Sequence, residues 1–377
     1  MTASPNRLLE RLMPRAIVVG AGIGGLAAAG ALSRAGWEVT LVERDDRVRP
    51  GRGTVTLWPN GIKALKALGL AGGLDTIATP VPAHGLRRPD GQPLVVAGAA
   101  SGALEVHRAD LHDAFIAALG ERVDVRTGIE IRSARAGRPT LSDGRHSYEA
   151  DLVVGADGAS SVIRKRLAPT SRLVSPGFAA WQAFIPWYRA PKVQFTDTLG
   201  VGHRFTSATL GDRGVSWTAT APGARRPEPK ETQLTLLRRW FAGWHEPVAT
   251  LLDATHPDDL VHDPVGEVNP LPASFASGGY VLVGDAAHAM PHYLGQGACL
   301  ALEDAATLYA VLSTMPVEAA LAAYDRARRP RAVKVMAQTQ RVETVLKARG
   351  MRARLSPKVL EKATLVATDW QPPAFST

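Results

Sequence analysis

Apolar and small residues alternate in blocks along the first part of the chain. Ile17–Val19 is a short continuous apolar run, the pattern of a strand buried on both faces. It enters a glycine-rich turn, and the small, apolar residues after that turn predict a closely packed helix that stops at Gly36. A second apolar run, Val39–Val42, ends at Glu43. Gly51–Gly53 reads as a loop. Pro59-Asn60-Gly61 opens a helix over Ile62–Leu70 with Asn60 as N-cap. Residues 77–104 are rich in Pro and Gly and read as turns with short strands; a helix follows over Arg108–Leu119. Strands are expected around 123–126, 129–134 and 147–154. Residues 176–222 alternate apolar and polar and carry Trp, Phe and Tyr, which predicts an antiparallel sheet. Residues 231–255 read as helical, Tyr280–Val283 as a buried strand and Gly297–Leu312 as an apolar helix. From Val317 to about Arg354 the pattern is helical, interrupted at Pro330. Residues 1–12 carry no fold signal and are expected to be dispensable, with Met13 a possible native start.

The β-rich stretch splits the α/β pattern, which resumes after it. The fold expected is therefore α/β: a Rossmann-type dinucleotide-binding domain interleaved with an antiparallel β-sheet domain, plus C-terminal helices. The expected division puts 13–75, 105–175 and 271–325 in the nucleotide-binding domain and 76–104 and 176–270 in a substrate domain. Residues 326–377 form a C-terminal helical segment.

The 377 residues, 45% hydrophobic and 21% charged, suit a globular protein with an ample core. No apolar run reaches the ~18 residues that span a bilayer, and no signal peptide is visible, so a cytoplasmic location is expected. One cysteine, Cys299, excludes an internal disulfide or a C-x-x-C redox pair. The net charge is +9, with a dense basic run from Arg326 to Arg354 that reads as a solvated helical face. No nucleic-acid-binding motif accompanies it. No metal site is expected.

The first turn is Gly20-x-Gly22-x-x-Gly25, set between strand and helix as dinucleotide binding requires. Gly20 makes the tight turn, Gly22 admits a pyrophosphate and Gly25 lets helix and strand pack closely. The helix N-terminus carries partial positive charge and free N–H groups suited to phosphate, and Glu43 can accept both ribose hydroxyls of an adenosine. This unit alone leaves NAD and FAD open. Two further motifs bear on the choice. One is the strand and turn from Asp151 to Arg164, with Asp157-Gly158 at its centre. The other runs from Val281 through Gly284-Asp285 and Pro291 to Gly295-Gln296-Gly297-Ala298. There Asp285 can accept hydrogen bonds from a sugar-like hydroxyl chain, and the helix start at Gly297–Ala298 can stabilise an anionic heterocycle edge.

With these three motifs in this order, the chain resembles the class A flavoprotein monooxygenases, the family of p-hydroxybenzoate and salicylate hydroxylases. The resemblance implies non-covalent FAD, with NADH or NADPH as a transient co-substrate and no separate domain for it. It implies that Gly20, Ala21, Gly22, Gly25, Glu43 and Arg44 hold the ADP half. Arg108 resembles a flavin-contacting arginine at a helix start, Ile131 stands where a backbone contact to adenine is usual, and Asp157 is similar to a residue bridging FAD and pyridine nucleotide. Asp285 would bind the ribityl chain, with Pro291, Gly295, Gly297 and Ala298 lining the isoalloxazine. The implied chemistry is reduction of FAD by NAD(P)H, formation of a C4a-hydroperoxide with O₂, and transfer of oxygen to an electron-rich aromatic or heteroaromatic substrate. The absence of a second G-x-G-x-x-G fits this family.

Catalytic candidates are Gln296 in the flavin-facing loop, Arg52 in Gly-Arg-Gly, and His203, whose ordinary pKa of ~6.5 suits a general base. His288 is expected to brace its loop. Trp181, Gln182, Arg204, Phe205, Trp217 and Tyr293 are the substrate-side candidates, the aromatic ones as a wall facing the flavin. Many relatives carry an arginine after the Trp that opens this sheet; here the pair is Trp181-Gln182, which disfavours a benzoate-type substrate. A flavin-dependent halogenase is an alternative, since Trp181-x-x-x-Ile185-Pro186 partly matches its motif with Phe184 in place of the second Trp. A non-catalytic flavin-binding protein is another. The chain is expected to act as a monomer or homodimer.

Overall fold

The protein is described by a computed structural model covering residues 13–51, 53–81, 86–94, 102–135, 137–193, 195–222, 228–346 and 356–374. Residues 1–12 and Arg52 lie outside the described residues. The apolar runs build a six-stranded sheet. Arg15–Val19 lies at its centre, parallel to Leu152–Gly155 on one side and Glu38–Val42 on the other. Tyr280–Leu282 and Val123–Arg126 extend it, also in parallel. Helix Ile23–Arg34 packs between this sheet and helix Gly297–Leu312, and its small residues from Gly25 to Ser33 are all buried. The contact is close: a Cβ on Gly24 would stand 3.2 Å from that of Ala301.

The second large sheet is antiparallel, in the order Thr196–Leu199, Arg204–Thr209, Gly214–Pro222, Phe178–Pro186, Val261–Pro264. A small three-stranded sheet of Thr54–Leu57, Leu104–His107 and Ala78–Pro80 is inserted in sequence between strands Glu38–Val42 and Val123–Arg126 of the six-stranded sheet.

Several boundaries differ from the sequence reading, each for an identifiable reason. The 147–154 run is two strands. Ser147–Glu149 joins a local hairpin and Leu152–Gly155 the main sheet, with Asp151 accepting from the Arg15 N–H at 2.9 Å where the chain changes sheet. The 129–134 strand shortens to Ser133–Arg135. Ile129 instead docks by its N–H on the Glu43 carbonyl, and Ile131 is buried in the core. The 231–255 helix divides into Lys230–Trp240 and Val248–Ala254, broken by Gly243 in the left-handed region and by Pro247. Helix Pro59–Ala67 starts one residue before Asn60, whose side chain turns inward instead of capping.

Pro330 does not interrupt its helix, which runs from Val317 to Leu346. A mid-helix proline costs about 3 kcal/mol. Here its neighbours are held too firmly to let the helix break. Arg328 Nε donates to Asp304 at 2.7 Å and its Nη1 to Glu303 at 2.7 Å; Arg331 donates to both Glu303 oxygens at 3.0 and 2.8 Å. All four side chains are buried. Burial by itself would raise the Asp304 pKa, but His288 and Arg328 outweigh it and hold the group below the usual range. Arg331 also caps the carbonyls of Val366 and Ala367, tying down helix Ser356–Thr368.

Removing one arm of this cluster strands a buried carboxylate. Arg328→Ala is expected to cost roughly 3–5 kcal/mol in urea unfolding; a loss under about 1 kcal/mol would show the cluster to be dispensable.

Candidate active site and cofactor cradle

A cavity of about 560 Å³ runs from the Gly22–Gly24 turn to the antiparallel sheet. Its nucleotide end follows from backbone geometry. Gly20 has φ +100°, and a Cβ there would meet the Ala156 carbonyl oxygen at 2.5 Å; one on Gly25 would stand 1.8 Å from the Gly20 oxygen. Both glycines are therefore demanded by the fold. Gly22 is different, because a Cβ there meets nothing within 4 Å. The space beside it is a cradle that a side chain would fill, at the start of a helix with no side-chain cap. Glu43 sits at the same turn, accepting from the Ala21 N–H at 2.8 Å. Arg44 points to the surface beside Asp45.

The middle of the cavity is made by Gly284–Asp285 and by Leu294, Gly295, Gly297 and Ala298. Gly284, at φ +58°, turns the chain out of strand Tyr280–Leu282. Asp285 is exposed to the cavity and, among the described residues, its carboxylate makes no hydrogen bond. Its loop is braced from below: Arg164, itself buried, donates to the Ala286 carbonyl at 3.0 Å. Helix Gly297–Leu312 opens beside it with no side-chain cap, so Gly297 and Ala298 present free N–H groups to the cavity. Two uncapped helix starts and an unpartnered carboxylate fit a dinucleotide carrying phosphates, a hydroxylated chain and an electron-rich ring.

Several expected residues point elsewhere. The Asp157 carboxylate is occupied by the Ser161 hydroxyl and the Val162 and Ile163 N–H groups, as a helix cap. Gln296 turns away from the cavity and accepts from Asn60 Nδ2 at 2.8 Å. Pro291 is buried and Ile131 belongs to the core, both outside the cavity lining. His288 is fully buried and bound to Asp304 at 2.7 Å, bracing its loop.

The antiparallel sheet has two unlike faces, because side chains alternate along each strand. Trp181, Phe205 and Trp217 belong to the face packed on helices Lys230–Trp240 and Val248–Ala254. Phe205 stacks on Trp217, and the Trp181 and Trp217 indole N–H groups are given to Gln233 and Thr255. These three expected wall residues are thus core, with Trp217 also bordering the cavity. The cavity face carries Gln182, Arg204, Thr206, Ser216, Thr218 and Thr220. Arg204 is clamped by Asp197 in a two-pronged pair of 2.9 and 2.7 Å and donates to the Tyr293 carbonyl at 2.5 Å. His203 lies outside the lining; it is bound to the Val201 carbonyl and packs on Trp240 and Phe241. His292 takes a place in the cavity instead, 2.7 Å from the Thr220 hydroxyl. Burial, aided by the Arg204 charge, pushes its pKa down to about 4, so it is neutral at pH 7. Tyr293 lines the cavity with its hydroxyl buried and unpaired among the described residues.

Sequence reasoning missed Trp58, Asp197, Glu105, and the Leu360, Glu361 and Thr364 face of the C-terminal helix, all of which line the cavity. None belongs to a spaced motif. Trp58 is placed by Gly295, at φ +61°, where a Cβ would lie 2.9 Å from the indole nitrogen.

A family profile described as an FAD binding domain matches residues 14–182 and 244–339. The aurachin C monooxygenase/isomerase of Stigmatella aurantiaca is 31% identical over 86% of this chain and 88% of its own. The 2-heptyl-3-hydroxy-4(1H)-quinolone synthase of Pseudomonas aeruginosa strain UCBPP-PA14 is 32% identical over 84% of this chain and 85% of its own. In three dimensions the chain is similar to Klebsiella pneumoniae HpxO complexed with FAD and uric acid, with a TM-score of 0.83 and 26% identity, covering 94% of this chain and 97% of that one.

Three outcomes follow from the cradle. Gly22→Val is expected to leave the thermal stability of the apoprotein near wild type while abolishing FAD uptake, whereas Gly25→Val should fail to fold; loss of folding in both would show that Gly22 serves packing. Asp285→Ala is expected to weaken FAD binding roughly ten- to hundredfold in fluorescence titration, the worth of a charge-assisted hydrogen bond of about 1.5–3 kcal/mol. His292 stays neutral in the fold but protonates in the unfolded chain below its ordinary value of 6.5. Apoprotein stability should therefore fall as pH drops from about 6.5 towards 4, and His292→Asn should flatten that part of the profile in urea unfolding.

Proposed function

Because the chain belongs to the FAD-binding-domain family of class A flavin monooxygenases, we propose that its cavity receives a neutral, electron-rich aromatic or heteroaromatic ring. That the chain is an FAD-dependent monooxygenase of aromatic or heteroaromatic substrates follows from the family and from relatives matched over most of their length. The substrate's charge is our own reading. One observation carries it: the Arg204 guanidinium is already neutralised by both oxygens of Asp197. A substrate carboxylate would have to displace Asp197 from a bidentate pair, among the stronger hydrogen-bonded pairs in proteins. Gln182 adds no charge, and Arg108 lies at the cofactor end, donating to the Thr54 carbonyl at 3.2 Å.

When bound, FAD supplies the redox chemistry, taking reducing equivalents from NAD(P)H and delivering one oxygen atom of O₂ to the ring. The chain's own residues do the rest. Gly22 and the Ile23–Arg34 helix start hold the pyrophosphate, Glu43 the adenosine ribose and Asp285 the hydroxylated chain. The helix start at Gly297–Ala298 stabilises negative charge on the heterocycle edge. Thr206, Thr218, Thr220 and Gln182 offer hydrogen bonds to a neutral ring. Neutral His292, steadied by Thr220, can exchange a hydrogen bond without presenting charge. The fused core behind the sheet keeps this face rigid and excludes water from the far side. In the same reading the six-stranded sheet and its helices form the FAD part and the five-stranded sheet the substrate part.

Neutral phenols and quinolones are expected to stimulate NAD(P)H oxidation by the FAD-loaded enzyme at least tenfold more than salicylate or p-hydroxybenzoate do, since displacing a charge-assisted pair costs about 1.5–3 kcal/mol. Coupled, efficient turnover of either benzoate would overturn the reading. Dependence on a separate reductase for any NADH oxidation would favour a halogenase.

A further inference from the structure

One buried acid in the cavity wall has no part in the roles above. Glu105 lies on strand Leu104–His107, opposite Thr56 on Thr54–Leu57, and is only 7% exposed while lining the cavity. Its neighbours are hydroxyls. Thr54 donates to one carboxylate oxygen and Thr56 to the other, the latter at 2.7 Å. Ser216, from the antiparallel sheet, reaches the same group, and Arg108 adds its charge from the cofactor side. Burial nevertheless raises the Glu105 pKa above the usual range.

An acid in this position is costly to the fold. A β-branched apolar residue would pair as well across the two strands and avoid the desolvation. Two threonine hydroxyls hold the carboxyl in one orientation, yet an ionised carboxyl has about four acceptor positions. The arrangement leaves an oriented acceptor at the meeting point of the small sheet, the hydroxyl-lined face and Arg108.

We propose that Glu105 is the specificity residue of the cavity, accepting a hydrogen bond from a ring N–H or O–H of the substrate. This inference rests on the neutral-ring reading above and narrows it to heteroaromatics or phenols that carry a donor on the ring. It also serves the chemistry. A carboxyl accepting from a ring N–H or O–H pushes electron density into the ring, which favours attack by an electrophilic oxygen. Glu105 acts here as a positioning and recognition group; the proton of the N–H or O–H it accepts from stays on the substrate, and Glu105 is not asked to take the ring C–H proton lost on hydroxylation.

The test compares 4(1H)-quinolone with N-methyl-4-quinolone, which differ by one N–H, as stimulants of NAD(P)H oxidation by the FAD-loaded enzyme. Wild type is expected to favour the N–H compound by roughly tenfold or more in KM, and Glu105→Gln to reduce that preference to within about threefold, as the charge-assisted bond is lost. Thr56→Val, which loosens the carboxyl without removing it, should give an intermediate ratio. Bound-flavin absorbance reports whether each variant is folded; should Glu105→Gln lose its flavin, Thr56→Val decides. An unchanged preference in a flavin-loaded variant overturns the proposal, as does a wild type that accepts both compounds equally. If neither compound stimulates wild type while a benzoate does, the neutral-ring reading falls first, and this proposal with it.

Discussion

The pairing of Glu303 and Asp304 with Arg328 and Arg331 governs the geometry of the cofactor end. Two adjacent carboxylates on one helix meet two arginines one turn apart on another, all out of water. Such a cluster is stable only if its charges are closely paired and hydrogen-bonded, and its partners show how far the pairing reaches. Asp304 accepts from the Gly284 N–H and from His288, fixing the turn that presents Asp285. Glu303 accepts from Asn60, which in turn holds Gln296 just before the helix start at Gly297. Arg331 closes the last carbonyls of the C-terminal helix, whose Leu360 and Thr364 border the cavity. Residues far apart in sequence are thus bound to one neutral knot. The basic run that begins at Arg326 is, for Arg328 and Arg331, an interior feature and not a solvated face.

The other end of the cavity is organised by the pleat of the antiparallel sheet. Its aromatic residues cover a broad apolar area and must be buried, and helices Lys230–Trp240 and Val248–Ala254 supply the cover. That leaves threonines, a serine, a glutamine and the Arg204–Asp197 pair for the cavity. A rigid polar lining recognises by hydrogen bonds, and a site built this way discriminates strongly against rings that lack the matching group. The internal pairing of Arg204 with Asp197 shapes this face as much as any free side chain: it cancels charge within the cavity lining and ties the sheet to the Tyr293 backbone.

The two ends are joined by short loops with little freedom. Gly295 in the left-handed region brings the chain past Trp58, and the Arg204 contact to the Tyr293 carbonyl pins the same loop from the sheet. The two ends of the cavity are therefore tied through this loop by contacts of the Arg204 and Trp58 side chains with its backbone.

The sequence by itself determined the parts governed by local rules. The first strand, the glycine turn, the following helix and Glu43 are read from spacing, because a close helix–strand contact admits only Gly20 and Gly25. The Asp285 turn and the uncapped helix at Gly297 are legible for the same reason. Alternation over residues 176–222 predicted the sheet but not which face meets the cavity, since period two gives two faces and no sign. Only tertiary packing decided that, by placing helices on the aromatic side; Trp181, Phe205 and His203 left the site. Pairwise charge was equally hidden: Arg204 read as available until Asp197 was seen beside it, and Gln296 and Asp157 read as cofactor-facing until their partners were known. Glu105, Trp58 and the C-terminal helix come from separate segments without a motif. What brings them together is the burial of side chains between sheets, which depends on the whole fold.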